Sequence, residues 1–471
     1  MIDDYKRNLS KTKSILNNVS PSFCLAKWAQ VTLHLHNGRT HSCHHPATHK
    51  IPLEEIKIDP SALHNTRFKK DQRAAMIDGK RPAECEYCWK VEDLPSYEDG
   101  EFFSDRVVKS NSNWALGKIH EVINNDPYHH NINPSYVEVS FSNICNFKCS
   151  YCSPVCSSRW TEEVENQGPY PTSQKFNNLD WYKSQGEMPI HHKEHNPYVE
   201  AFWKWWPDLV KDLKVFRITG GEPLLANDTF KVLDFLFENP KPQLELAVNT
   251  NACVPDSKFD TFVDKANALV SNKKIEKITI YTSVDGHGKQ AEYGRFGLDY
   301  NKWLSNIEKF LLMVPGSSVS IMSTTNIFSV TSYKNLLNDV LRLKEKYGSL
   351  NVSLDVSVLH YPHHQCVSIL TDEFKTAMDD SLAYMEMHSD ISSPAHFRSY
   401  ETQAMQRLAA FLKKNHGDKK SLEVVRSDFY HFVTEHDRRR GTDFKKTFPE
   451  LGEFYEICKS SAESVQQNNQ T

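Results

Sequence analysis

From about residue 134 the chain alternates short apolar runs with longer stretches whose apolar residues recur at helical spacing. The short runs, bounded by turn residues, read as strands over Tyr136–Phe141, Val215–Thr219, Leu244–Asn249, Ile275–Val284, Val319–Thr325 and Val352–Leu359. Between them, helices are predicted around Phe230–Phe237 (with Asn227 or Asp228 as the cap), over 257–270, near 300–313 and near 332–346. Six strand–helix repeats predict a parallel sheet, which right-handed crossovers would curl into a full or partial barrel. The fold class expected is therefore α/β, a partial (β/α)6 barrel over 134–365.

Ahead of the barrel, Val31–His36 alternates as a strand, Asn37-Gly38 is a hairpin turn signal, and Arg39–Cys43 is the returning strand. A helix is expected over 67–79, stopped by Gly79, in a compact Cys/His-rich segment spanning 21–95. Residues 1–20 read as a tail or short helix, and 96–133 as a polar helical connector. An insertion at 157–205 is too long for an ordinary βα loop; it is expected either to cover the barrel mouth or to be a surface decoration. Residues 366–458 read as a helical extension and 459–471 as a disordered tail.

Composition narrows the function classes. Over 471 residues the net charge is only −4, which gives no electrostatic footprint for nucleic acid or an anionic membrane. The chain lacks an apolar run long enough to span a bilayer, and its first residues are polar, so a cytoplasmic location is expected. In that setting eleven cysteines point to metal binding or redox chemistry rather than disulfides. Cys253, Cys366 and Cys458 stand alone and read as small buried hydrophobes. The others fall into two groups.

The first group is Cys145-Asn146-Phe147-Lys148-Cys149-Ser150-Tyr151-Cys152, directly after the first barrel strand. Three thiolates leave one iron of a four-iron, four-sulfur cluster open to an outside ligand, whereas structural zinc and electron-transfer clusters close all positions. Cys156 offers a fourth thiolate for zinc, but Cys152 and Cys156 do not make a paired knuckle. Gly220-Gly221-Glu222-Pro223 follows the second strand. Both motifs thus sit at the C-terminal ends of strands, where such barrels carry their active sites.

This pair of motifs resembles the radical SAM superfamily. The resemblance implies a 4Fe–4S cluster on Cys145, Cys149 and Cys152, whose open iron takes the amino and carboxylate groups of S-adenosylmethionine (SAM). It implies reductive cleavage to a 5′-deoxyadenosyl radical that abstracts hydrogen from a substrate. Tyr151 would then pack near the adenine, Gly220, Gly221, Glu222 and Pro223 would face the methionine amine, and Ser283 and Asp285 would meet the ribose hydroxyls and the methionyl end. Arg295 could pair with the SAM carboxylate. Asn249 and Asn326, which close the third and fifth strands, complete the set; for Asn326 a plain turn-forming role is the alternative, and for Arg295 a helix-face cation. No catalytic acid or base beyond the cluster is assigned.

The second group, Cys24, Cys43, Cys85 and Cys88, is a complete set of four flanking the hairpin and ending in Cys-x-x-Cys. It resembles the twitch and SPASM modules that hold an auxiliary 4Fe–4S cluster, although those usually follow the barrel. A four-cysteine zinc site is the competing assignment. His34, His36, His41, His44, His45 and His49 are further potential donors. By resemblance the reductant would be a flavodoxin or ferredoxin and the substrate a peptide or protein, with a small-molecule dehydrogenase or epimerase as the alternative. A non-catalytic zinc-binding interaction protein on the same fold is a third reading. Trp160, Trp181, Trp203, Trp205 and Trp206 could form a substrate wall, although aromatic residues at such spacing are more often core.

Overall fold

The computed structural model describes residues 2–95, 102–414 and 419–468. Its strands, in chain order, are β1 (Gln30–His34), β2 (Arg39–His41), β3 (His49–Lys50), β4 (Tyr136–Ser140), β5 (Lys148–Cys149), β6 (Val215–Thr219), β7 (Lys241–Thr250), β8 (Ile275–Ser283), β9 (Arg295–Phe296), β10 (Ser318–Thr325) and β11 (Val352–Val358). The chain forms two units. Unit 1 comprises Met1–Ser142, Pro189–Gly220 and Lys241–Ala247; unit 2 comprises Asn143–Met188, Gly221–Pro240 and Val248–Thr471.

In unit 1 the strand order is β7-β6-β4-β1-β2-β3. β4 pairs in parallel with β6, Tyr136 opposite Val215 through Ser140 opposite Thr219. β1 pairs in parallel with β4, Gln30 opposite Tyr136 through His34 opposite Ser140. The hairpin β1–β2 therefore extends the barrel sheet. Every residue of β1 up to Leu33 is buried, as expected of a strand covered on both faces. The helix Arg67–Ile77 is capped by Thr66, whose side chain accepts from Lys69 N, and is followed by Gly79 at φ +76°, a left-handed stop that glycine adopts without steric cost.

In unit 2 the order is β11-β10-β8, with β8 and β11 both parallel to β10. Burial alternates residue by residue along β10, so one face packs into the core and the other is part-exposed and polar. The intervening helices run over Asn227–Glu238, Asp256–Ser271, Tyr300–Met313 and Tyr333–Tyr347. The fold is thus the expected mixed α/β architecture with a parallel sheet, in which β4, β6, β7, β8, β10 and β11 follow one another in chain order.

Three local expectations change. Ala226, not Asn227 or Asp228, is the cap residue of Asn227–Glu238; the turn is closed instead by Thr229 Oγ1 donating to Pro223 O at 2.7 Å. The 157–205 stretch is not one loop. Its last part is the helix Pro197–Leu209 of unit 1, whose Trp206 ring lies 4.9 Å from Phe216 on β6. Its first part carries Trp160, Tyr170 and Phe176 into the core of unit 2, with Tyr170 stacked 5.0 Å from Phe432. Trp160, Trp205 and Trp206 are buried and belong to the cores; Trp181 is exposed. The expected tail from 459 is helical as far as Asn468, because Gly452–Asn468 packs along Lys419–Arg440. Phe454 meets Phe429 at 5.2 Å, and Cys458 and Ala462 are buried. The expected connector holds the short helices Asp105–Ser110, Asn113–Leu116 and Ile119–Ile123, while 96–101 and 469–471 lie outside the described residues. Among the described residues no helix is long and apolar enough to cross a membrane.

Candidate metal centres

The loop after β4 is folded largely by its own backbone. In unit 2, β5 pairs antiparallel with β9, placing Cys149 opposite Arg295, and Ser150 N donates to Gly294 O at 2.8 Å. Cys152 N donates to Cys149 O at 2.9 Å, which turns the chain so that the last two thiols of the triad lie within one tight bend. The helix Ser158–Gln167 fixes the rest: Ser158 Oγ accepts from Cys145 N at 3.2 Å, and Trp160 Nε1 donates to Cys149 O at 2.9 Å. Cys145, Cys149 and Cys152 are half-buried free thiols, whereas Cys156 is exposed.

Burial, and after it the charge of Cys149, pushes the Cys145 thiol up to about 12. Burial also raises Cys149, against which the Arg295 guanidinium acts. Cys152 is held up by its hydrogen bond with Cys156, which is lowered in return. Thiols so placed ionise poorly unless a cation shares their surroundings, and that is the service an iron cluster performs for its ligands. Three free cysteine thiols on one loop are the donor chemistry an iron cluster takes.

The two glycines explain how the second motif meets the first. Gly221 lies against the cysteine loop so closely that a Cβ would come within 2.6 Å of the Asn143 carbonyl carbon and oxygen, and closer still to Ile144 O. Gly220 adopts φ +129°, and a Cβ there would meet Ser142 O at 2.7 Å. Glu222 N donates to Ile144 O at 2.6 Å, so the motif is bonded to the residue before Cys145. The Glu222 carboxylate is almost fully buried and accepts from Leu224 N at 3.0 Å, Thr250 Oγ1 at 2.8 Å and Asn251 N at 2.6 Å. Burial nevertheless raises it to about 7. Pro223 opens the turn Pro223–Leu225 that Glu222 caps. Asn251, beside the expected Asn249, donates to Asn146 Oδ1 at 2.8 Å and ties the end of β7 to the triad loop; Asn249 itself is half-buried.

Asp285 and Arg295 form a buried bidentate pair, Nε to Oδ2 and Nη2 to Oδ1, both 2.9 Å. Asp285 also accepts from Tyr151 Oη at 3.0 Å and from Thr324 N at 2.9 Å. The same guanidinium donates to Tyr151 Oη and, through Nη1, to Cys149 Sγ at 3.6 Å. Arg295 is thus matched by the chain's own Asp285 and aimed at Cys149 rather than standing as a free fork. Ser283, at the end of β8, is half-buried. Asn326 is a turn former: its side chain donates to Thr324 O and accepts from Phe328 N, both at 2.9 Å.

In unit 1, Cys24, Cys43, Cys85 and Cys88 line one pocket, together with Lys27, His45, Asp105 and Arg106. Burial pushes Cys85 and Cys88 up to about 12 and raises Cys24, each further raised by the charge of a neighbouring thiol of the set. Two cations answer them: Lys27 Nζ lies 3.6 Å from Cys85 Sγ and pairs with Glu84, and Arg106 is buried on Glu92 at 2.7 Å. Sequence gave no sign of Arg106; Lys27, three residues after Cys24, could have been noticed. Of the histidines, only His45 reaches the pocket, bonded to Asp105 at 2.7 Å and stacked on Tyr87. His34 and His41 share an Nε2–Nε2 contact of 3.2 Å, His36 meets Ser140 Oγ at 2.8 Å, His49 meets Thr66 Oγ1 at 3.2 Å, and His44 is exposed. Burial lowers His34 to about 3 and His36 to about 4, so these imidazoles are neutral. Among the described residues no group of three or more His, Cys, Asp or Glu side chains is placed to hold a metal ion.

Fold and loop define an α/β protein with a parallel sheet and a loop of three free cysteine thiols directly after β4. No family model matches the chain. It is similar to curated proteins named GTP 3′,8-cyclase: from Campylobacter lari at 29% identity over 117 residues, 25% of this chain and 27% of that protein; from Sulfurimonas denitrificans at 28% over 117 residues, with the same shares; and from Psychromonas ingrahamii at 27% over 151 residues, 31% of this chain and 35% of that protein. The chain thus spans only about a quarter to a third of the length of these curated relatives. Among solved structures, Streptococcus suis SuiB bound to precursor peptide SuiA is matched over 90% of this chain and 74% of that one, at 11% identity and a TM-score of 0.31. The similarity to these cyclases and the cysteine loop agree with the resemblance to the radical SAM superfamily.

Proposed function

We propose that this chain is a radical SAM enzyme that holds a 4Fe–4S cluster on Cys145, Cys149 and Cys152. When bound, cluster and SAM together supply a 5′-deoxyadenosyl radical able to take a hydrogen atom from an unactivated C–H bond. The observation that carries the reading is the way the rest of unit 2 is braced on the loop of the three cysteines: Glu222 N on the Ile144 carbonyl, Asn251 on the Asn146 side chain, Arg295 on the Cys149 thiol. The chain's own part is positional. The Gly220–Pro223 turn brings backbone polar groups beside the triad, Asp285 keeps Arg295 charged and aimed at Cys149, and Tyr151 is fixed through its hydroxyl. Such fixed dipoles need no reorganisation when charge moves.

The pocket of Cys24, Cys43, Cys85 and Cys88 is read as an auxiliary 4Fe–4S site, an electron-transfer centre because four thiolates close it. A tetrahedral zinc would draw four sulfurs to about 3.8 Å from one another at Zn–S bonds near 2.3 Å. A flavodoxin or ferredoxin would be the reductant, and a peptide or protein is the substrate class implied by likeness to twitch and SPASM modules. The nucleotide in the name of the cyclase relatives favours a second reading, a small-molecule substrate.

Anaerobic reconstitution with iron and sulfide tests the reading. Two clusters predict ~8 irons per chain. Cys149→Ala should lose about half of them and all SAM cleavage. A full iron complement in that variant, or zinc in place of iron in the native protein, would refute it.

A further inference from the structure

The helix Lys419–Arg440 ends in three consecutive arginines, of which Arg438 is exposed and neutralised by Glu435. Arg439 also pairs with Glu435, at 2.6 Å, and leans on Glu163. Arg440 differs. Its side chain is 0% exposed, and its closest anion is Glu163 at 3.5 Å. That carboxylate is already bonded to Lys148 Nζ at 2.5 Å and to Tyr170 Oη at 2.8 Å. One carboxylate thus serves three cations. Nε and Nη1 of Arg440 have no hydrogen-bond partner.

The walls around this guanidinium are the elements that hold Cys149. It lies over the Trp160 ring at 5.1 Å and over the Phe296 ring at 5.3 Å. Trp160 donates to Cys149 O, and Phe296 belongs to the β9 strand that pairs with β5. Aromatic walls exclude water, so the charge is weakly screened.

We propose that Arg440 is a positioning residue for electron transfer: a second buried cation, beside Arg295, that raises the reduction potential of the cluster held by the triad. The inference rests on reading that triad as a cluster site. Reduction adds one negative charge to the cluster, and an under-neutralised cation nearby stabilises the reduced form.

The test uses the full-length chain, reconstituted anaerobically, with Arg440→Gln, Arg440→Met and Arg440→Lys. An EPR-monitored redox titration follows the reduced-cluster signal that changes when SAM is added, which separates the triad from the second cluster. Loss of the charge should leave roughly tenfold less reduced cluster at the native midpoint, ~59 mV downward for a one-electron couple. Arg440→Lys should restore most of the shift. A native midpoint in both Arg440→Gln and Arg440→Met, even with a lowered melting temperature, would overturn the inference and leave Arg440 a structural brace. Absence of any SAM-responsive signal in the native protein would instead overturn the cluster reading, and this inference with it.

Discussion

Gly221→Ala adds one carbon where the structure has least room for it. The new Cβ would stand 2.6 Å from the carbonyl carbon and oxygen of Asn143, and nearer to Ile144 O. Carbon contacts settle near 3.5–4.0 Å, so relief needs a movement of about 1 Å. The obstacles are backbone atoms, which have no rotamer to escape into. The segment that must move leads straight into Cys145 and accepts the Glu222 N bond at 2.6 Å. Forcing extra volume into such a contact costs about 1–3 kcal/mol. Urea unfolding of the apoprotein should register that loss, and reconstitution should return about half the native iron because the triad is displaced. Gly452→Ala is the control, since a Cβ there meets nothing within 4 Å and φ is −59°. A Gly221→Ala protein with native urea midpoint and native iron would refute the claim that the two motifs are packed backbone to backbone.

Asp285→Asn removes the charge that matches a buried Arg295, and an uncompensated buried cation costs about 3 kcal/mol, read from the urea midpoint. Glu222, raised from 4.5 to about 7, makes apoprotein stability depend on pH. Below the unfolded value both states hold the proton; as pH rises toward 7 the unfolded chain releases it first, so stability falls, by up to ~3 kcal/mol. Urea midpoints between pH 4.5 and 7 should show that slope in the native protein and not in Glu222→Gln. Cys85→Ala should keep SAM cleavage while losing about half the iron, measured colorimetrically; full iron would remove the auxiliary site.

The barrel was legible because its strands and helices announce themselves by period: Val215–Thr219 is reproduced to the residue, and most other strands to within one or two. The N-terminal hairpin was legible as a hairpin, but not its parallel pairing with β4, since pairing between strands separated by a long connection leaves no local pattern. The helix Gly452–Asn468 was missed from residue 459 because its polar composition is compensated by a few apolar residues, Cys458 and Ala462 among them, that meet another helix. At the site, cysteine spacing and the Gly-Gly-Glu-Pro turn were readable. What they touch was not. That Arg295 is held by Asp285, that Asn326 serves its own turn, and that Arg440 reaches the walls around Cys149 are facts of tertiary packing alone.

The most direct measurement is 5′-deoxyadenosine formation by the anaerobically reconstituted chain given dithionite and SAM. The account predicts 5′-deoxyadenosine and methionine in equal amounts from the native protein and none from Cys149→Ala. A native protein that carries its iron at the triad yet leaves SAM intact would contradict it.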